Sequence, residues 1–533
     1  MKAQAHQNTK GKSRIINLLY FISFCEGFTV LTLEIMSPSM ISPYFGATLD
    51  VWTGMLVITL LALALGYYAG GYLSTKRYYR SLFPYIFLIA GVSVLFSGLT
   101  YKKIVMLLID TNIIIGSVIC LLYIISIPML LLGMVSPLLI QLFTEIYGKA
   151  GKTSGTIFTI STIGSIGGGA LCGYILLPSL GITTTIYITA ITMFLCFLLS
   201  LLIMGISLRR ILIITFVTGA GITMIISRKE KNPPGLLYRH NSVSGEVTVI
   251  DINYVPPSSN VYYPLRILAV NGVPQTLIYL TQSKDETPWY YVKWILYAVS
   301  TIEKNGKILF MGLGGGLLPK LLYKAGYNVE VVEISPEIHK CAISYFDFPH
   351  QIPVYYQDAT IFIEKNEDRW NAIIIDIFVS EQPPWWFFTS TKLLRLKQLL
   401  TDNGILIINF YGFYHGNDGM ATRALYSTLK QAGFYITVIS TEPQNEFYAN
   451  TLFVSSLRDF DIKTGDSSII EKIKKGPVQF HILDTTSWYN PELVLTEDKP
   501  LLARLILKPA HKWRKGAKDF YLRNYLKLET TRQ

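Results

Sequence analysis

Residues 307–333 limit the possible fold of this chain more than any other stretch. They read KILFMGLGGGLLPKLLYKAGYNVEVVE: an apolar β-type run, a glycine turn, a helix-forming segment and a β-branched run that ends in an acid. Glycines between strand and helix permit a tight turn and let a ligand approach the backbone, and the helix N-terminus offers unpaired N–H groups. The acid, Glu333, lies about 20 residues after the first glycine, which is the spacing expected for a carboxylate that binds ribose. The stretch predicts a βαβ unit with a nucleoside site, and a plain structural turn is the alternative.

The order of the glycines favours one class of nucleoside. Gly312, Gly314, Gly315 and Gly316 form the motif GLGGG, which lacks the third glycine that the dinucleotide pattern GxGxxG places deeper in the helix. We therefore expect an S-adenosyl-type ligand rather than a dinucleotide.

Acids recur at the ends of the next two predicted strands. Asp358 is the next-to-last residue of the run PVYYQDA, and Asp376 follows the run NAIII. A carboxylate at the end of a buried strand loses hydration unless a ligand or hydrogen-bond donors compensate, so such positions favour function. Together with Glu333, these acids predict a ligand site at the carboxyl edge of a mostly parallel sheet. For Asp358 a helix N-cap is the alternative.

The two parts of the chain are suited to different solvents. Of its 533 residues 51% are hydrophobic and 15% charged, and few charged residues precede Arg228. This predicts a multi-span helical membrane domain over residues 1–230. The net charge is +12. We interpret the basic residues as attracting the chain to a membrane surface rather than as binding nucleic acid. No CxxC motif or Cys/His cluster occurs, so we predict no metal site and no disulfide framework.

Six apolar runs are long enough to cross a bilayer. They are residues 15–36, 51–73, 82–99, 113–140, 155–177 and 183–206. Lys and Arg clusters place the amino terminus in the cytoplasm, as expected of a multi-pass inner (plasma) membrane protein. Residues 211–227 form a seventh, shorter run that leaves the side of the soluble part open; the supply of nucleotides favours the cytoplasm.

Polar and small residues within the apolar runs have two interpretations each. Glu26 and Glu34 lie in the first run, where a carboxylate is costly and is a candidate for function. For Glu34 a structural role is favoured, and for Glu26 both remain open. The acids motivate an alternative in which the membrane domain is a transporter and the soluble part senses a nucleoside or polyamine. Residues 66–71 and 164–173 are glycine-rich and predict close helix packing.

The soluble part is predicted to contain two further domains. Residues 231–285 hold alternating runs separated by turns, which predict a small antiparallel β-sheet. Residues 286–533 begin with a helix over 288–303 and continue as an α/β Rossmann-like domain. The stretch 508–518, KPAHKWRKGAK, is interpreted as a basic tail, either solvated or at the membrane surface.

Several motifs together resemble one family. ILFMGLGGG, VVEISPE, QDA and IIIDIFVSEQPPWWFFT resemble successive motifs of the polyamine aminopropyltransferases, the spermidine synthase family. LAVNGVPQT resembles the strand and turn of that family that end in a substrate-contacting glutamine, here Gln275. LTLEIMSPSMISPYFGATLDVWT, LALGYYAGGYL and STIGSIGGGALCGYILLP are similar to the membrane domain fused to some bacterial members.

The resemblance implies a transferase with decarboxylated S-adenosylmethionine as co-substrate and no tightly bound cofactor. The acceptor would be a small amine, and the lipid bilayer would be a further partner. Whether the protein forms a homodimer is left open. The implied roles are as follows: Gly312, Gly314, Gly315 and Gln275 contact the sulfonium nucleoside, Glu333 its ribose, Asp358 and Ala359 its adenine; Asp376 is catalytic; Tyr290 and Gln275 contact the amine.

The amine half departs from the family pattern. Val379 stands where a second acid is usual, and the Tyr-His-Glu segment is replaced by residues 289–292, WYYV. Ser335 replaces a further acid. The identity of the amine is therefore open, with Asp285, Glu286 and Glu381 as candidate compensating acids. An S-adenosylmethionine-dependent methyltransferase is the alternative enzyme.

Overall fold

The computed structural model describes most of the chain. The described residues are 2–45, 49–108, 111, 113–147, 150–206, 234–242, 245–254, 262–280, 284–378, 382–441, 448–459, 461–466, 481–513 and 515–516. The chain divides into two compact units: one is Met1–Asn232 with His240–Gly245, and the other is Pro233–Arg239 with Glu246–Gln533.

The described part of the first unit is a bundle of long helices. They are α1 (Lys2–Phe45), α2 (Leu49–Ser74), α3 (Tyr79–Leu108), α4 (Ile113–Tyr147), α5 (Ala150–Leu171) and α6 (Gly181–Ile203). A π-helical stretch, Cys172–Leu180, joins α5 to α6, so the fifth and sixth predicted spans form one continuous helical stretch. By length and composition, five stretches of the described residues could cross a membrane, counting Gly151–Ile203 as one. The run 211–227 lies outside the described residues.

Glycines allow the helices of this bundle to approach closely, as predicted. A Cβ on Gly66 of α2 would lie 2.3 Å from the carbonyl oxygen of Leu130 on α4, and one on Gly164 of α5 would lie 2.1 Å from that of Phe24 on α1. Any larger side chain would separate these backbones. The predicted close packing of both glycine-rich segments is therefore confirmed.

Glu26 of the first apolar run has a hydrogen-bond partner inside the bundle. Its side chain is buried and accepts a hydrogen bond of 2.7 Å from the Ser161 hydroxyl on α5. A buried carboxylate needs such a donor. The contact joins α1 to α5. Glu34, the other acid of the first run, is only partly buried.

A small antiparallel sheet in the order β1-β2-β3-β4 precedes the large sheet in the chain. Its strands are β1 (Leu236–Ser242), β2 (Gly245–Tyr254), β3 (Tyr263–Val270) and β4 (Val273–Tyr279). Asn271 and Gly272 connect β3 to β4 with φ of +51° and +72°, as the Asn-Gly pair of a two-residue hairpin requires. The sequence missed β1, since its polar residues YRHNS give no clear alternation.

An eight-stranded sheet with helices follows. Its elements are α7 (Tyr291–Val299), β5 (Lys307–Met311), α8 (Leu317–Lys324), β6 (Asn328–Glu333), α9 (Pro336–Phe346), β7 (Val354–Tyr356), α10 (Ala359–Lys365), β8 (Trp370–Ile375), α11 (Ser390–Gln398), β9 (Leu400–Phe413), α12 (Met420–Gln431), β10 (Tyr435–Ser440), β11 (Tyr448–Ser456), β12 (His481–Ile482) and α13 (Leu501–Leu505). The strand order is β12-β10-β11-β9-β8-β5-β6-β7.

Five neighbouring strands of the sheet run parallel, in the order β7-β6-β5-β8-β9. Beyond β9, the strands β11, β10 and β12 extend the sheet, each antiparallel to its neighbour. Strand β5 is buried on both faces: Ile308 and Phe310 pack into one hydrophobic cluster, and Leu309 and Met311 into the other. This burial explains why the central strands are continuous apolar runs. The predicted Rossmann-like fold is confirmed, and β6, β5 and β8 end at one edge.

Candidate active site

The glycine turn after β5 approaches its neighbours too closely for side chains. Gly312, Gly314 and Gly316 have φ of +89°, +54° and +72°, a region that L side chains rarely adopt. A Cβ on Gly312 would lie 2.3 Å from the carbonyl oxygen of Asp376, and one on Gly314 would lie 2.7 Å from the hydroxyl of Thr276. Glycine is therefore required here by both backbone conformation and space.

Gly312→Ala is expected to perturb the site, whereas Gly326→Ala is its matched control. Gly326 has a φ of +93°, but its nearest neighbour is the Asn305 Oδ1 at 3.8 Å. Both variants lose about 1–2 kcal/mol to backbone strain. Only Gly312→Ala also displaces Asp376, and we expect it to lower activity about 10²-fold. Equal activity of the two variants, measured beside their melting temperatures, would show that the close approach has no functional role.

Thr276 of β4 holds the glycine turn from the opposite side. Its hydroxyl accepts a hydrogen bond of 2.7 Å from the backbone N–H of Gly315 and donates one of 2.8 Å to the carbonyl oxygen of Gln275. The small sheet thereby fixes the turn. Sequence reasoning selected Gln275 and missed its neighbour Thr276.

Glu333, the acid that closes β6, is tied to the glycine turn. Its buried carboxylate accepts a hydrogen bond of 2.9 Å from the N–H of Leu313 and another of 2.8 Å from the N–H of Ser335. Burial raises the pKa of Glu333, and the backbone donors oppose that shift. The same carboxylate therefore braces the end of β6 against the turn.

Asp358, at the end of β7, is the N-cap of α10. Its Oδ1 accepts hydrogen bonds from the backbone N–H groups of Thr360 and Ile361, at 2.8 and 3.3 Å. The helix N-cap, which is the alternative role predicted for Asp358, is therefore present. Ala359 is the first residue of this helix.

Asp376, directly after β8, is held by side chains from two other elements. Its Oδ1 accepts a hydrogen bond of 2.8 Å from the Asn409 amide on β9, and its Oδ2 accepts one of 3.2 Å from the Tyr291 hydroxyl on α7. Burial raises the pKa of Asp376, and these two donors oppose the shift. The carboxylate is thus fixed in orientation and can accept a proton at a higher pH than an exposed aspartate.

Tyr291→Phe tests this electrostatic arrangement. An Asp376 that acts as a base must be ionised, so kcat/KM should rise with pH through its pKa. Removing the hydroxyl takes away a donor that lowers this pKa, so the acid limb of the profile should move to higher pH. Tyr323→Phe, at an exposed position on α8, is the control. An unchanged acid limb in Tyr291→Phe would contradict the assignment.

A cavity of about 390 Å³ opens beside Asp376. Of the residues chosen from the sequence, Gln275, Gly314 and Asp376 line it. The other chosen residues lie outside its wall: Gly312, Gly315, Tyr290, Glu333, Asp358 and Ala359. Tyr291, Asn409 and Tyr411 also line it, and sequence reasoning missed all three. For Asn409 a signal existed, since it is the one polar residue in the run GILIINF.

The carboxyl-terminal basic stretch keeps Lys508, Lys512 and Lys515 exposed, so its interpretation as a solvated or membrane-surface tail stays a prediction, but part of it also packs on the domain. Lys512 and Trp513 line the cavity, and Ala510 is buried. The Trp513 ring lies 4.8 Å from that of Tyr411. Aromatic packing of this kind holds Trp513 at the cavity while the neighbouring lysines remain exposed.

The acids that were candidates to compensate for the missing family acids are not found at the cavity in the described residues. Asp285 lies 3.0 Å from the Lys320 ammonium and 2.5 Å from that of Lys324, and these cations lower its pKa against the effect of burial. Glu286 is exposed, and Glu381 lies outside the described residues. Neither Asp285 nor Glu286 lines the cavity.

No protein-family model matches the chain, but curated proteins do. It is 31% identical over 139 residues to the N-terminal histidine N-methyltransferase of Emericella nidulans, covering 24% of this chain and 25% of that one. It is 30% identical over 144 residues to the polyamine aminopropyltransferase of Vibrio vulnificus, covering 26% and 48%. It is 23% identical over 438 residues to polyamine aminopropyltransferase 2 of Aquifex aeolicus, covering 77% and 82%.

The parallel strands, the helices between them and the strand order define a Rossmann-like domain. The chain spans no more than about half the length of the first curated relatives it matches, while the Aquifex match extends over most of both proteins. The chain is similar to several polyamine aminopropyltransferases, which are transferases, and the match extends over 77% of the chain in the Aquifex protein. The resemblance predicted from the sequence is confirmed.

Proposed function

We propose that this protein is a membrane-anchored aminopropyltransferase that uses decarboxylated S-adenosylmethionine as donor and an amine as acceptor. The observation that carries the proposal is the placement of Asp376, whose carboxylate faces the same cavity as Gly314 of the glycine turn. A proton acceptor beside a nucleoside turn is what amine alkylation requires.

The donor half of the site is assigned to the turn and the neighbouring strand ends. Gly312, Gly314 and Gly315 would contact the sulfonium nucleoside together with Gln275. Glu333 would bind the ribose hydroxyls in addition to its two backbone donors. Asp358 and Ala359 would contact the adenine, since the Asp358 cap bonds use one carboxylate oxygen, Oδ1.

The acceptor half is assigned to Asp376, Gln275 and Tyr290. Asp376 would bind the ammonium of the acceptor and take its proton. The free amine then attacks the aminopropyl carbon next to sulfur, a C–N bond forms, and the C–S bond breaks with its electron pair leaving on sulfur. The products are the N-aminopropyl amine, methylthioadenosine and one proton. Fixing both reactants in line supplies much of the rate.

The membrane anchor rests on the apolar helices. Five stretches of the described residues have the length and hydropathy of membrane spans, and exposed apolar side chains such as Leu60, Ile166 and Phe96 cover them. Such surfaces suit lipid better than water. We place the protein in the inner membrane with its soluble unit in the cytoplasm. A reporter fused after Gln533 should be active on the cytoplasmic side, and activity outside would refute this topology.

A methyltransferase is the second candidate, and the Emericella relative favours it. The two reactions differ in their nucleoside product. The full chain, purified in detergent, should release methylthioadenosine from the decarboxylated donor when amines are added. Release of S-adenosylhomocysteine from S-adenosylmethionine, with no methylthioadenosine from any amine, would support the second candidate and refute the first.

A further inference from the structure

The described wall of the cavity beside Asp376 carries few charges. Among the described residues that line it, Asp376 is the one acidic side chain and Lys512 the one basic side chain. Seven lining residues are aromatic: Tyr254, Trp289, Tyr291, Phe310, Phe378, Tyr411 and Trp513. An ammonium group that leaves water needs a carboxylate or another acceptor. This described wall suits one ammonium and an apolar body, because its one cation, Lys512, would repel a second ammonium rather than accept a hydrogen bond from it.

The carboxyl-terminal segment is firmly anchored where it forms this wall. Leu502, Ile506 and Ala510 are buried in the domain core, and the Lys508 ammonium pairs with Asp418. The Lys512 ammonium lies 5.2 Å from the centre of the Phe413 ring. The segment therefore behaves as a fixed part of the site.

Trp513 forms an aromatic wall with two residues of the large sheet region. Its ring centre lies 4.8 Å from that of Tyr411 at an interplanar angle of 40°, and 5.1 Å from that of Phe378 at 84°. Phe378 follows Asp376 by two residues, so the wall begins next to the carboxylate. Packed rings of this kind offer a rigid apolar surface to a ligand.

We propose that the acceptor is a monoamine with an apolar body. Its ammonium binds Asp376, and its hydrocarbon part packs against Phe378, Tyr411 and Trp513. Trp513 is a specificity-determining residue, and Lys512 disfavours a second ammonium. The inference rests on the proposed function and uses the same balanced transfer of one aminopropyl group.

Butylamine and 1,4-diaminobutane provide the matched test, because they differ only in the second ammonium. With the full chain, kcat/KM for butylamine should exceed that for diaminobutane by about tenfold or more. An equal or higher value for diaminobutane overturns the inference while leaving the proposed function intact. No methylthioadenosine with these or any other amine instead refutes the proposed function itself.

Two variants assign the effect to the carboxyl-terminal segment. Lys512→Glu adds a carboxylate to the wall and should move the kcat/KM ratio toward diaminobutane by about tenfold, whereas Lys515→Glu, at an exposed position outside the described wall, should not. Trp513→Ala should raise KM for butylamine about tenfold with an unchanged KM for the nucleoside. Trp386→Ala, at an exposed tryptophan, is its control. An unchanged ratio in Lys512→Glu and an unchanged KM in Trp513→Ala overturn these roles.

Discussion

Asp376→Asn is expected to lower kcat for methylthioadenosine release by about 10²–10⁴-fold, because the variant has no base to take the proton of the amine. Asparagine keeps the shape of the side chain. Its oxygen can still accept from the Asn409 amide, now at 2.8 Å from Asp376. The loss should therefore appear in kcat, with little change in the dissociation constant of the nucleoside.

The same variant separates loss of function from loss of fold. The pKa of Asp376 is raised in the folded protein, so its contribution to stability is fully present below the unfolded pKa of about 3.9 and is lost as pH rises through the folded pKa. Asparagine does not titrate. The melting temperature of Asp376→Asn at neutral pH should therefore equal or exceed that of the wild type. An active variant, or an inactive one that is also unfolded, would contradict this account.

Glu333→Gln is expected to weaken nucleoside binding by about 10²-fold or more. The carboxylate accepts hydrogen bonds from the backbone N–H groups of Leu313 and Ser335, whereas a glutamine side chain has only one oxygen that can accept them. One buried N–H would then face an NH₂ group, at a cost of about 1–3 kcal/mol. The ribose loses a charged acceptor in addition. Titration with methylthioadenosine, well below the melting temperature, measures the dissociation constant.

Glu330→Gln is the matched control for that variant. Glu330 lies on the same strand, 3.3 Å from the Lys307 ammonium, and such partly exposed pairs contribute about 0–1 kcal/mol. Its nucleoside affinity should match the wild type. If Glu333→Gln lowered the melting temperature but kept full affinity, Glu333 would be a brace for the turn and no ribose ligand.

The parts of the site that could be predicted from the sequence are those set by local pattern. The glycine turn, Glu333 and Asp376 follow apolar strands within a few residues, and parallel strands bring their ends to one edge. Asp358 also follows a strand, and its cap bonds with Thr360 and Ile361 show that one local pattern can predict two roles.

The contacts that depend on tertiary packing could not be predicted. Tyr291 reaches Asp376 only because α7 packs against the sheet, and Trp513 reaches the cavity only because α13 and the residues after it are anchored in the core. The basic residues next to Trp513 predict a solvated tail, and composition carries no information on the long-range contacts that Trp513 makes. The antiparallel strands β10 and β11 were also missed, because they follow no βα alternation.

Product analysis of the full chain tests the central claim most directly. The purified protein is incubated with decarboxylated S-adenosylmethionine and butylamine, with Asp376→Asn in parallel, and both the nucleoside and the amine products are identified by mass. The account predicts equal amounts of methylthioadenosine and aminopropyl-butylamine from the wild type, and neither above background from the variant. Absence of both products from the wild type with every amine offered would contradict it.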